Sequence, residues 1–139
     1  MAREGIKFEV ELCKLLSERL FWAHRFFPNE IGAQPFDVIA VKNNQAYGFE
    51  CKVVASAKKF PLSRVEVNQI YGMERFCYSG NTNAYFAFLR ADGSIWISGS
   101  SSIVNAFGLA QHGLGPQSIE SGTIPLERWF EEVEDKNRQ

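Results

Sequence analysis

The chain has 139 residues, 45% hydrophobic and 22% charged, with a net charge of −1. That is the size and composition of one soluble globular domain, and no run of about 18 apolar residues marks a membrane span. The charge does not advertise a nucleic-acid binder. It is uneven, however: from Glu127 onward five acids face three bases, a balance of −2, while Met1 to Leu126 carries +1. The opening MAREGIKFEVELC has no uninterrupted apolar segment of the signal-peptide kind, so a cytoplasmic protein is expected. Cys13, Cys51 and Cys77 are odd in number and widely spaced, which argues against a disulfide framework or a thiolate zinc site.

Residues from about Arg3 to Phe27 have a helical pattern, stopped by Pro28. At 100° per residue, Gly5, Ile6, Leu12, Cys13, Leu16 and Leu20 fall within about 60° of Glu9, and no other acid shares that face. Either Glu9 sits at the rim and points outward, or it is aimed at an acidic site. After a loop over Asn29–Gln34, strands are expected near Phe36–Lys42 and Ala46–Val53 around an Asn43-Asn44 turn. In the second strand, alternation puts Tyr47, Phe49, Cys51 and Val53 on one face and Gly48, Glu50 and Lys52 on the other. A polar loop over Ala55–Lys59 leads to Phe60–Ser63. There Ser63 and Glu66 form an S-x-x-E capping box and Leu62 with Val67 a hydrophobic staple, opening a helix to about Tyr78 that ends at Gly80.

Asn83–Arg90 and Ser94–Ser98 read as strands joined at Ala91-Asp92-Gly93. Ser100–Ala110 is a weaker helix and Gln111–Gly122 a glycine-rich loop, and Pro125 opens a short last helix, PLERWFEE. The expected fold is α/β, a central mixed sheet flanked by helices. One domain is expected over 1–132, with 133–139 a charged, frayed tail.

Two apolar strands carrying acids need an explanation, because a carboxylate removed from water costs several kcal/mol unless it is paired or holds a metal. Asp37 at the start of one strand and Glu50-x-Lys52 on its neighbour would bring two acids and an ammonium group together at one end of the sheet. Hard divalent cations take such oxygen-rich sites. Asp37 and Glu50 are the candidate ligands, with the Cys51 carbonyl as a third donor. Lys52 is placed to hold a water or stabilise charge on a phosphodiester. An E-x-K pair alone is also what an ordinary surface ion pair looks like, worth about 0–1 kcal/mol.

The pattern Gly5-x-x-x-Glu9, Asp37, Glu50-Cys51-Lys52 resembles the PD-(D/E)XK nuclease superfamily, whose core is restriction-endonuclease-like. Phe60-Pro61-Leu62-Ser63, Asn68-Gln69-Ile70, Met73 and the strand NAYFAFL further resemble the RecU-type Holliday junction resolvases of Gram-positive bacteria and their phages. The stalk-like insertion of those proteins is absent, with only PNEIGAQ between the first helix and the Asp37 strand; in size the chain is closer to the compact archaeal resolvases.

The resemblance implies a homodimeric, Mg²⁺- or Mn²⁺-dependent endonuclease acting on branched DNA in recombination and repair. Asp37 and Glu50 would bind the metal, Lys52 would be the catalytic lysine, Glu9 would assist through the metal or its waters, and Gln69 would contribute from the second helix. Arg3, Lys7, Lys58, Lys59 and Arg64 are candidates for phosphate contacts, although such clusters also occur as solvated faces. The alternatives are a nuclease of this fold acting on other branched, nicked or single-stranded DNA, and a DNA-binding accessory protein without activity. His24 reads as a surface residue at a helix end, His112 has no assigned role, and Trp22, Phe26 and Phe27 read as core or dimer contacts with base stacking as the other reading.

Overall fold

The computed structural model describes residues 2–27, 36–55, 60–61, 65–81, 83–100, 103, 118–119 and 123–137. In chain order these form α1 (Ala2–Glu18), β1 (Trp22–Arg25), β2 (Val38–Lys42), β3 (Gln45–Val53), β4 (Phe60–Pro61), α2 (Val67–Tyr78), β5 (Ala84–Leu89), β6 (Ile95–Gly99), β7 (Ser118–Ile119), β8 (Thr123–Pro125) and α3 (Leu126–Asn137). A six-stranded sheet has the order β1-β2-β3-β5-β6-β8, and β4 pairs with β7. Only the β3·β5 pair in the large sheet is parallel, with α2 in its crossover, so the sheet is mixed and flanked by helices as expected.

Alternation along β3 sorts the two cores. Tyr47 and Phe49 join Phe8, Leu12 and Leu16 of α1 and Trp129, Phe130 and Val133 of α3 in one cluster. Ile70 and Met73 of α2 pack with Phe36, Phe86 and Phe88 in the other. Each such large side chain contributes about 1.5–3 kcal/mol when fully buried. Gly48 has a defined reason to lack a side chain, since a Cβ there would stand 2.4 Å from the buried Phe36 ring. The bare backbone at Gly48 leaves room for the Phe36 ring, next in sequence to Asp37.

The expected helix to Phe27 is corrected. It stops at Glu18, where the Phe21 N–H bonds the Leu16 carbonyl at 3.1 Å and the Leu20 N–H bonds the Ser17 carbonyl at 3.0 Å. This is a Schellman ending with its left-handed position, φ 67°, filled by Leu20 in place of glycine. Phe21 then turns into the core and β1 begins. Consequently Leu20, assigned to the apolar helix face, is 82% exposed.

The capping box also moves. Val67 is the first helical residue and Glu66 its cap, with the Glu66 N–H donating to Gln69 Oε1 at 3.1 Å. Ser63 and Leu62 lie outside the described residues. The expected turns are present: Asn43 and Asn44 both have positive φ, Gly93 has φ 86° and Gly80 has φ 98°. The short strands β4, β7 and β8 were not anticipated. Of the expected 100–110 helix only Ser100 and Ile103 are described, both helical. The last helix continues past Glu132 to Asn137 because Val133 extends its buried face, so helical structure enters the segment read as a frayed tail. Arg19 fastens that helix to the end of α1, reaching Glu127 at 2.6 Å and Glu134 at 3.6 Å and lying 4.6 Å over the Phe130 ring.

A left-handed conformation costs a non-glycine residue about 1–2 kcal/mol, and the exposed Leu20 side chain offers little burial to offset it. Leu20→Gly is therefore expected to raise stability to urea by about 0.5–1 kcal/mol. A loss of stability would show that Leu20 packs in a way its exposure denies.

Candidate active site

Asp37 is stitched between two strands. Its N–H bonds the Phe49 carbonyl at 3.1 Å, its carbonyl accepts the Phe26 N–H at 2.9 Å, and its Oδ2 accepts the Cys51 N–H at 2.9 Å. The ladder is irregular at this point, since Phe49 pairs with Val38 while its carbonyl also accepts the Asp37 N–H. The Asp37 and Glu50 side chains nevertheless share a hydrogen bond, so the two carboxyl groups meet.

Glu50 is only 6% exposed. Burial first, then the Asp37 charge and a hydrogen bond shared with Asp37, push its pKa up to about 9; Lys52 opposes this and Glu9 adds to it. At neutral pH one proton therefore stays within the acid pair. Gln69 fixes the Glu50 carboxyl, donating from Nε2 to Glu50 Oε1 at 2.8 Å while its own Oε1 caps α2. A single amide thus couples the start of α2 to the acid.

Glu9 comes from α1 on the other face of the sheet. Its carboxyl is displaced upward by burial and by Asp37, against the Arg25 guanidinium. Arg25 Nε lies 3.0 Å from Glu9 Oε1, both side chains being largely buried, although the N–H is not aimed along a hydrogen bond. The distance defines an ion pair, and its misalignment makes it easier to rearrange than an aligned one.

The structure therefore brings Glu9, Asp37, Glu50, Lys52 and Gln69 to one end of the sheet. Arg25 belongs with them and was missed, because the segment was read as helix. Among the described residues no group of three or more acidic, histidine or cysteine side chains is arranged as a metal cage. Two facing carboxylates still fit a cation that keeps most of its ligands as water and substrate oxygens, as Mg²⁺ does. The Cys51 thiol does not compete as a nucleophile, since burial and the nearby acids push its pKa up.

The proposed phosphate contacts are less gathered. Lys58, Lys59 and Arg64 lie outside the described residues, and Arg3 lies in the first turn of α1. Lys7 borders a groove of about 920 Å³ between α1 and the β5–β6 turn, which also holds Arg90. His24 stands on β1, not at a helix end.

A family model described as archaeal Holliday junction resolvase (Hjc) matches residues 1–138. The chain belongs to this family. It is accordingly a junction-resolving endonuclease, a hydrolase of nucleic-acid phosphodiesters. The 1.6 Å structure of Hjc, a Holliday junction resolvase from the archaeal hyperthermophile Archaeoglobus fulgidus, superimposes with a TM-score of 0.58. The match covers 70% of this chain and 78% of that one at 18% identity, a likeness of fold. No curated protein matches the sequence.

The raised acid sets a pH dependence. Glu50 ionises near 4.5 in the unfolded chain and near 9 in the fold, so the folded state binds the extra proton between those values. Its contribution to stability is full below pH 4.5 and is lost as pH rises toward 9. In EDTA, the thermal midpoint should fall over that range, and Glu50→Gln should flatten the fall. Parallel curves for the two proteins would show that Glu50 titrates normally.

Proposed function

We propose that this resolvase cleaves four-way DNA junctions at the Asp37–Glu50 pair, with Mg²⁺ or Mn²⁺ as cofactor. The observation that carries the reading is the meeting of two carboxyl groups at the sheet end, one of them buried, with its pKa pushed up by that burial and by its neighbour. Such an arrangement is costly as structure and useful as a cation site. Asp37 and Glu50, with the Cys51 carbonyl, would hold the cation; Glu9 would act through its waters. When bound, the cation supplies an acidified water and neutralises charge on the phosphodiester.

The chain's own groups do the rest. Gln69 holds Glu50 in place, and Lys52, on the Glu50 face, donates to the oxygen that gains charge as water adds to phosphorus. The bond to the 3′ oxygen breaks, that oxygen takes up a proton, and a 5′ phosphate remains. Arg25 holds Glu9 against the site and offsets part of the acidic charge. Phosphate contacts from Arg3, Lys7, Lys58, Lys59 and Arg64 would seat the duplex arms.

Two symmetric cuts require two sites, and the reading includes a homodimer. Val67, Tyr71 and Tyr78 form an exposed apolar stripe along α2, of the kind that packs against a second copy. Lying on the helix whose Gln69 touches Glu50, this stripe would set the spacing of the two centres. The protein is proposed to act in the cytoplasm as one nuclease domain; no described helix is long and apolar enough to cross a membrane. The RecU likeness of Phe60–Ser63 and Asn68–Ile70 is proposed as a shared way of building the α2 side of the site. The phage or bacterial source it suggested finds no support in an archaeal family model.

Asp37→Asn keeps the backbone hydrogen bonds but removes a ligand charge. It is expected to lower junction cleavage by at least about 100-fold, in the range of a lost transition-state charge interaction, and to abolish the thermal stabilisation that Mn²⁺ gives the wild type through linkage. Paired symmetric nicks on a four-way junction, mapped beside duplex and single-stranded DNA, are the readout. Undiminished cleavage by the variant would refute the site.

A further inference from the structure

Among the described residues strand β1 is an edge of the sheet, and its two faces differ. Ala23 packs into the α1 core and Arg25 pairs with Glu9, whereas Trp22, His24 and Phe26 stand on the opposite face. Through the pairs Trp22↔Val41 and His24↔Ile39 that face continues across β2 to the side of β3 carrying Glu50 and Lys52.

The three aromatic rings form a ladder. Trp22 and His24 lie nearly parallel, 13° apart with centroids at 6.0 Å, and His24 meets Phe26 edge to face at 5.4 Å. Trp22 is 62% exposed and His24 is exposed too. Phe26 is half-buried, but two exposed rings side by side on a sheet face are hard to explain as core. The ladder is also joined to the acid pair, since the Phe26 N–H bonds the Asp37 carbonyl at 2.9 Å. At about 3.3 Å per residue it runs roughly 13 Å away from that point, comparable to about four nucleotides at ~3.4 Å spacing.

We propose that Trp22, His24 and Phe26 are a stacking platform for unpaired nucleobases, leading a single strand toward the acid pair. Bases within a duplex hide their faces in the stack, so only unpaired or splayed bases fit. Continuity with Asp37 favours DNA as the occupant over a second copy of the chain. A four-residue edge strand is also poor material for edge-to-edge pairing. The connection to cleavage rests on the nuclease reading above; the stacking does not.

The test uses the full chain in EDTA with labelled oligo(dT) and a matching duplex. Trp22→Ala/His24→Ala should bind the single strand about ten-fold or more weakly, as loss of base stacking implies, with unchanged duplex affinity and far-UV circular dichroism. Trp22→Phe should retain most of the binding. Single-strand affinity equal to wild type would overturn the platform, as would an equal loss on both DNAs. A changed oligomeric state with intact single-strand binding would overturn it by making the face a contact between copies.

Junction cleavage by the wild type separates the two ideas. A chain that cleaves nothing yet binds single strands through Trp22 keeps the platform and loses the nuclease assignment. One that cleaves junctions while the double variant binds oligo(dT) normally does the reverse.

Discussion

The site depends on one electrostatic constraint: burial and the neighbouring Asp37 charge make it costly for Glu50 to ionise. Asp37 and Glu50 share a hydrogen bond, and Glu50 is buried away from water. A proton can relieve the repulsion, and so can a divalent cation. The first describes the protein alone, and the second describes the state in which chemistry is proposed. Between those states the acid changes from neutral to charged without the backbone having to move, because Asp37 is tied to both neighbouring strands.

Other elements serve that constraint. Gly48 lets Phe36 lie on β3 and anchors the chain entering Asp37. The cap of α2 orients Gln69, which in turn orients Glu50. On the far side, the Arg25–Glu9 ion pair brings a third acid close while compensating its charge. The lining of the 920 Å³ groove includes neither Asp37 nor Glu50, so the acids are not enclosed within it.

Much of this was legible in the sequence, because period-two alternation is local. The faces of β3 follow from it, and the Asn43-Asn44 turn joins the neighbouring strands that bring Asp37 and Glu50 to one end of the sheet. What was not legible turned on single residues that break a local rule. Leu20 takes the left-handed position usually given to glycine, so the helical pattern ran on through β1. On a continuous helix Arg25 would lie about 160° around from Glu9; only the strand brings the two together. The same error placed Trp22 and His24 at a helix end. The α2 cap was misplaced by one helical turn because S-x-x-E at Ser63 and E-x-x-Q at Glu66 overlap, and only tertiary contact between Gln69 and Glu50 selects the second.

The central claim is that a proton is trapped between Asp37 and Glu50 until a cation replaces it. Carboxyl-carbon NMR of glutamate-labelled protein, titrated with and without Mg²⁺, tests it most directly. The account predicts a Glu50 resonance that stays protonated through neutral pH, titrates near 9 in EDTA, and ionises at lower pH when Mg²⁺ is added. A Glu50 resonance titrating near 4.5 in EDTA, unmoved by Mg²⁺, would contradict it.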